Sequence, residues 1–217
     1  MLYNTILFDL DGTITNSGTG IINSVRYALE KMSLEVPDDT ELASFIGPPL
    51  SESFQKNFEL SETASNQAIA YYREYYREKG IYENHLYEGI DALLINLKQA
   101  DAQLYIATSK PEIFAKQILN YFHLDQYFTG IYGATLDSQR SKKGDVIRYA
   151  LEEGAIHDLQ QTVMIGDRQH DILGAKENNL ASIGVLYGFG ERSELALAQA
   201  DYIVAAPAEI GQLIINK

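Results

Sequence analysis

The sequence predicts an α/β fold, a doubly wound parallel sheet carrying a helical insertion in its first crossover. Three observations lead there. Short apolar runs alternate with longer segments of helical periodicity over most of the 217 residues. Several of those runs are continuously apolar rather than alternating, as strands covered on both faces are. Strand-like runs are missing between about Ser17 and Tyr82, where only helical patterns occur.

The first strand is Thr5–Phe8. Helical patterns follow near Gly20–Met32, Asp39–Phe45, Leu50–Phe58 and Glu62–Lys79. A helical crossover between parallel strands needs only about a dozen residues, so this much longer stretch reads as an inserted helical domain, residues 17–82. Residues 1–16 and 83–217 then form the core. Within the insert, Tyr71, Tyr72, Tyr75 and Tyr76 fall into i, i+4 pairs that can pack along the last helix. In Phe45–Ser53 (FIGPPLSES), Gly47 and the prolines set a stiff turn before a helix. The core resumes with helix Ile90–Gln99, strand Gln103–Thr108, helix Glu112–Tyr121, strand Gly130–Gly133 and helix Lys143–Glu153. Strand Thr162–Ile165, helix Asp171–Asn178, strand Ser182–Leu186, helix Glu194–Gln199 and strand Tyr202–Val204 complete it. This repeated order is that of a parallel sheet with helices on its faces.

Composition narrows the function classes. Seventeen basic against 30 acidic residues give a formal net charge of −13, which argues against a nucleic-acid polymer or an anionic membrane surface as partner. A small anionic substrate is still allowed, because one pocket can be positive within an acidic chain. There is no cysteine, so disulfides and thiolate metal sites are excluded. The N-terminal apolar run is broken by Asp9 and Asp11 and is no signal peptide, and no run approaches the roughly 18 apolar residues of a membrane span. The expectation is a cytoplasmic protein.

The chemistry-bearing residues gather at strand ends, where ligand sites form in open α/β sheets. Asp9 and Asp11 end the first strand in ILFDLDGT, and Gly12 permits a tight turn and close backbone approach. A plain Asp-Gly turn would explain these alone. A second acidic pair, Asp167 and Asp171 in MIGDRQHD, ends another strand. Carboxylates converging from two strand ends would repel unless a cation sat among them, and an all-oxygen ligand set suits Mg²⁺. A helix N-terminus favouring Asp would account for Asp171 but less well for Asp167. Thr108 and Ser109 end the second core strand beside a helix start, a place that can hold phosphate or merely cap the helix. Lys142 and Lys143 precede another helix, and one of them could bring positive charge to that site. The histidines His85, His123, His157 and His170 show no partner pattern that makes one a catalytic base.

Together these four signals resemble the haloacid dehalogenase superfamily of aspartate-nucleophile phosphohydrolases. Asp9-Leu10-Asp11-Gly12-Thr13 resembles its first motif, Thr108 its second, a lysine its third, and Gly166-Asp167 with Asp171 its fourth. The insertion just after the first motif is similar to the subclass with a helical cap over a Rossmann-like core. The third motif departs from the Lys-Pro-x-Pro of many relatives, reading Lys142-Lys143-Gly144-Asp145. Lys143 abuts the helix and is the better placed, while Lys142 stays open.

The resemblance implies that Asp9 is the nucleophile, forming an aspartyl-phosphate, and that Asp11 is the general acid and then base. It implies Mg²⁺ held by Asp9, the Asp11 backbone carbonyl and Asp167, with Asp171 nearby. Gly12 N–H, Thr108, Ser109 N–H and the lysine would hold the phosphoryl oxygens. The expected substrate is a small phosphorylated metabolite, handled by a monomer or homodimer, with the insert gating access. A dehalogenase has no need of Asp11 or Mg²⁺. A phosphomutase of the β-phosphoglucomutase type, a phosphate-binding regulatory module without turnover and a response-regulator receiver are the other readings. The receiver lacks an insert and is shorter. The stretch Arg140–Ile147 is similar to the nucleotidase branch, which ranks 5′-nucleotidase ahead of phosphoglycolate phosphatase.

Overall fold

The computed structural model describes residues 1–137 and 139–215. Strand β1 (Thr5–Phe8) is followed by a tight turn and the two-residue strand β2 (Thr15–Asn16). Helices α1 (Gly18–Lys31), α2 (Asp39–Leu42), α3 (Leu50–Phe58) and α4 (Glu62–Tyr75) come next, then the two-residue strand β3 (His85–Leu86). The alternation then runs α5 (Ile90–Gln99), β4 (Gln103–Pro111), α6 (Glu112–Tyr121), β5 (Gly130–Ala134), α7 (Lys143–Glu153) and β6 (Thr162–Gly166). It closes with α8 (Gln169–Glu177), β7 (Ala181–Val185), α9 (Arg192–Leu197), β8 (Tyr202–Val204) and α10 (Pro207–Ile215).

Six strands form one parallel sheet in the order β5-β4-β1-β6-β7-β8. The chain winds from β1 to β4 and β5 on one side, then returns to β6 and continues to β7 and β8 on the other. The strand order therefore reverses between β1 and β6. Ile6, Leu7 and Phe8 of β1 and Val163, Met164 and Ile165 of β6 are fully buried, which is why these runs are apolar on both faces. On one face, Leu7, Tyr105, Ala107 and Met164 pack against Val146, Ile147 and Ala150 of α7, so α7 is seated directly over the central strands.

The chain divides into two units. One contains Met1–Thr15 and everything from Leu86 onward, the other Asn16–His85. β2 and β3 pair with each other where the chain passes between the units. The second unit is all helix apart from its share of that pair. Phe45, Phe54 and Phe58 pack with ring centroids 4.9–6.5 Å apart. Gly47, with φ of +105°, turns the chain before α3, and Pro49 precedes its first residue. Tyr72 and Tyr76 stack at 5.5 Å, while the Tyr75 ring lies against Tyr27.

Three features differ from the sequence expectation. The helix expected over Glu62–Lys79 is α-helical only to Tyr75 and continues as a wider π turn, Tyr76–Gly80, closed by Ile81 N–H donating to the Tyr76 carbonyl. The β2–β3 pair is too short to leave a period in the sequence. Helix α10, beyond the last expected strand, buries Ile210 and Ile214 against α5, and its Pro207 sits at the first helical position, where a missing N–H costs nothing. Among the described residues no helix is long and apolar enough to cross a membrane.

Candidate active site

The site grows from the strand reversal, where the crevice outside the strand ends takes ligands in sheets of this kind. Asp9 follows β1 directly, and its backbone N–H donates to Ile165 O of β6 at 2.9 Å, continuing the ladder one residue past the strand. Asp167 follows β6 directly and is completely buried. Asp171 enters from α8. Its carboxylate accepts the Arg168 N–H at 3.0 Å and so caps its own helix, the role a bare helix start would give it. It has a second role as well, because carboxylate oxygens of Asp9, Asp167 and Asp171 all lie within 4.8 Å of one another.

Lys143, the first residue of α7, inserts into this cluster. Its Nζ lies 2.6 Å from Asp9 Oδ1, 2.8 Å from Asp171 Oδ1 and 3.1 Å from the Ala107 carbonyl. Lys142 is the N-cap, extended and exposed. One ammonium among three buried carboxylates leaves the cluster short of positive charge. Burial pushes the Asp9 carboxyl up to about 6, with Asp171 and Asp11 adding to the rise and Lys143 opposing it. Burial likewise raises Asp167 well above the usual carboxylate range, reinforced by Asp171 and Asp9. Burial alone would pull the Lys143 ammonium down, but Asp171 and Asp9 overcome it and hold the group above an ordinary lysine. Asp167 Oδ1 is buried with no hydrogen-bond partner among the described residues. An orphaned carboxylate oxygen beside two further carboxylates fits a cation.

The flanking turns hold this arrangement. Gly12 has φ of +87°, and a Cβ there would fall 2.2 Å from Asp167 Oδ2, so only glycine lets the β1 turn pass so close to β6. The Gly12 N–H, expected to hold a phosphoryl oxygen, instead donates to Thr15 O at 2.8 Å and closes its own turn. Thr108 is buried at the end of β4, and its Oγ1 accepts the Lys110 N–H at 3.3 Å, so its O–H can donate to a ligand. Ser109 beside it is half-buried. Phe189 N–H donates to Asp167 Oδ2 at 2.7 Å, and the Tyr187 hydroxyl donates to Thr13 O at 3.0 Å. His170 lies on the exposed side of α8.

The sequence matches the haloacid dehalogenase-like hydrolase family over residues 6–185. The chain belongs to this family. Among its hydrolase relatives, a 5′-nucleotidase of Pseudomonas aeruginosa is 42% identical over 98% of this chain and 96% of its own length. The tyrosine-protein kinase PtkA of Mycobacterium tuberculosis is 37% identical over 96% of this chain and 70% of that protein. The crystal structure of a predicted phosphatase from Clostridium acetobutylicum superposes with a TM-score of 0.96 at 48% identity, covering all of both chains.

Sequence reasoning missed two contributors to this hydrolase site. Lys110 forms an ion pair with Asp11, its Nζ 2.7 and 2.9 Å from the two carboxylate oxygens. Strand alternation gave no signal for it, because the register of β4 shifts between Thr108 and Pro111. The other is the backbone of the loop after β7. There the Phe189 N–H is a direct support for Asp167.

Proposed function

We propose that this family member hydrolyses phosphomonoesters of small metabolites, with 5′-nucleotides as the leading substrate class. The observation that carries the reading is the buried cluster at the strand reversal: three carboxylates, one lysine and one orphaned oxygen. That donor set is all oxygen and suits Mg²⁺. Asp9, Asp167 and the Asp11 backbone carbonyl would hold the ion, with Asp171 beside them already engaged by Lys143 and the Arg168 N–H. When bound, the ion offsets charge on the transferring phosphoryl group.

The chain's own residues divide the remaining work. Asp9 attacks phosphorus: an Asp9 Oδ–P bond forms, the P–O bond to the leaving group breaks, and the leaving oxygen takes a proton from Asp11. Asp11 then accepts a proton from water as the water oxygen bonds to phosphorus and the Asp9 Oδ–P bond breaks. General acid and base catalysis of this kind contributes about 10²–10⁴-fold. Lys143, Thr108 and Ser109 hold the phosphoryl oxygens, and Lys143 also screens Asp9 from Asp171.

The 42% identity to a 5′-nucleotidase over nearly the whole chain supports the nucleotide preference. The deciding measurement is kcat/KM for a purine 5′-monophosphate against phosphoglycolate on one preparation with Mg²⁺ present. The nucleotide is expected to win. A hundredfold preference for phosphoglycolate would reverse the substrate assignment, and phosphate release undiminished by EDTA would remove the metal from it.

A further inference from the structure

We propose that Lys110 is a positioning residue for Asp11, fixing its carboxyl group where it serves the leaving oxygen. The inference rests on the phosphatase reading and gives a role to a buried lysine that the reading leaves unused.

Lys110 and Asp11 lie 99 residues apart in sequence, yet the Lys110 Nζ contacts both oxygens of the Asp11 carboxylate. Only 6% of the lysine side chain and 14% of the aspartate side chain are exposed. A single contact would leave the carboxylate free to rotate about its last torsion; a two-point contact fixes that rotation. The two lysines of the site therefore divide its acids. Lys143 takes Asp9 and Asp171, and Lys110 takes Asp11.

The backbone is built to aim this side chain. β4 pairs with β5 at Thr108↔Gly133 and again at Pro111↔Ala134, so Ser109 and Lys110 have no counterpart on β5. A bulge of this kind re-aims side chains at strand ends beside active sites. The Lys110 N–H is tied back to Thr108 Oγ1 at 3.3 Å. The neighbouring strand makes room for the bulge: a Cβ on Gly133 would come within 2.7 Å of Lys110 O. Removing the ammonium leaves the Asp11 carboxyl without its two-point contact, free to rotate or to swing to solvent. Either result misplaces the proton donor without touching Asp9, Lys143 or the carboxylate cluster.

A lysine that instead gripped the phosphoryl group would matter equally for every ester, and this separates the two roles. An alkyl phosphate needs its leaving oxygen protonated, whereas p-nitrophenyl phosphate releases a stable phenolate without help. In Lys110→Met, kcat/KM for the alkyl ester is expected to fall on the order of 10²-fold while that for the aryl ester stays within about threefold. Lys110→Arg should recover most of the alkyl rate. In an Asp11→Asn background, Lys110→Met should cost nothing further, since the group it positions is already disabled. Equal loss on both esters, no loss on either, or full additivity with Asp11→Asn would overturn the positioning role. If the wild-type protein released phosphate from neither ester, the phosphatase reading itself would fall and this inference with it. Circular dichroism checks the fold, and Lys110→Gln carries the same comparison should the Met variant not fold.

Discussion

Lys143 Nζ sits 2.6 Å from Asp9 Oδ1, joining the end of β1 to the start of α7 across 134 residues of sequence. The same ammonium lies 2.8 Å from Asp171 Oδ1, so one lysine bridges the end of β1 and the first turn of α8 through their carboxylates. Its side chain is only 5% exposed. A charge so placed is stable only because its partners are, and they in turn depend on it.

Lys143→Ala should therefore cost far more than Lys142→Ala. Loss of an electrostatic contact to a transferring phosphoryl group costs on the order of 10²-fold or more in kcat. Breaking a buried ion pair by removing one partner costs about 3–5 kcal/mol of stability. Lys142 is exposed, and its replacement should change both quantities little. Parallel kinetics and thermal melts check the ranking, and a reversed order would move the essential lysine by one residue.

The carboxylate cluster makes stability depend on pH in a stated direction. The Asp9 pKa is raised by burial from 3.8 to about 6 in the folded chain. The folded state thus holds the proton more tightly than the unfolded one, so stability is greatest below the unfolded value and is lost as pH rises through about 6. Asp167, raised by burial in the same direction, adds to the loss. Metal-free protein should melt at progressively lower temperature from about pH 4 to pH 6 and above. At pH 7.5, Mg²⁺ at a hundredfold excess over its Kd should restore about 2.7 kcal/mol, with a much smaller gain at pH 5. Differential scanning calorimetry with and without EDTA measures this, and an equal Mg²⁺ effect at both pH values would contradict it.

How much of this was legible depends on what each residue type reveals locally. β1 and β6 are readable because Ile6-Leu7-Phe8 and Val163-Met164-Ile165 must be apolar on both faces of a covered sheet. Asp9 and Asp167 are conspicuous because each stands directly after such a run, and an Asp-Gly turn that would explain the first pair alone does not explain the second. Choosing between Lys142 and Lys143 needs the phase of α7. Lys142 takes the extended N-cap conformation (φ −73°, ψ 140°) and stays outside, while the next residue turns inward. Lys110 was illegible for a different reason. Its direction is set by a bulge in β4, which leaves no trace in hydrophobic periodicity and whose room comes from Gly133 on another strand. The Gly12 N–H likewise reads as a phosphate donor until the turn is seen to close on Thr15 O.

The two aspartates of the first turn should separate cleanly by mutation. Asp9→Asn removes the attacking oxygen's charge and should abolish covalent phosphorylation while leaving the fold intact. Asp11→Asn keeps the nucleophile and should slow turnover by about 10²-fold or more, with some phosphorylated enzyme still trapped. Intact-protein mass spectrometry after rapid acid quench distinguishes them. Wild-type activity in Asp9→Asn would end the aspartyl-phosphate mechanism.

Gly12→Ala tests whether the turn after β1 exists to admit Asp167. Two costs coincide at this position. The φ of +87° is one that an alanine rarely adopts, and the added Cβ would lie 2.2 Å from Asp167 Oδ2 and 2.6 Å from Asp167 Oδ1. The carboxylate is the softer partner, because it can rotate while the backbone turn is pinned by Gly12 N–H to Thr15 O and by Ile14 N–H to Leu10 O. Rotation would break the contact with Phe189 N–H and move Asp167 away from Asp9 and Asp171. Losing a support that orients a metal ligand typically weakens metal affinity by about 10–100-fold, and that is the expected drop in apparent Mg²⁺ affinity. Titrating activity and melting temperature with Mg²⁺ reads the shift twice. Saturating Mg²⁺ should recover part of the rate if only the ligand has moved. A variant with unchanged Mg²⁺ dependence would show that Asp167 tolerates displacement, and the ion would then have to rest on other donors.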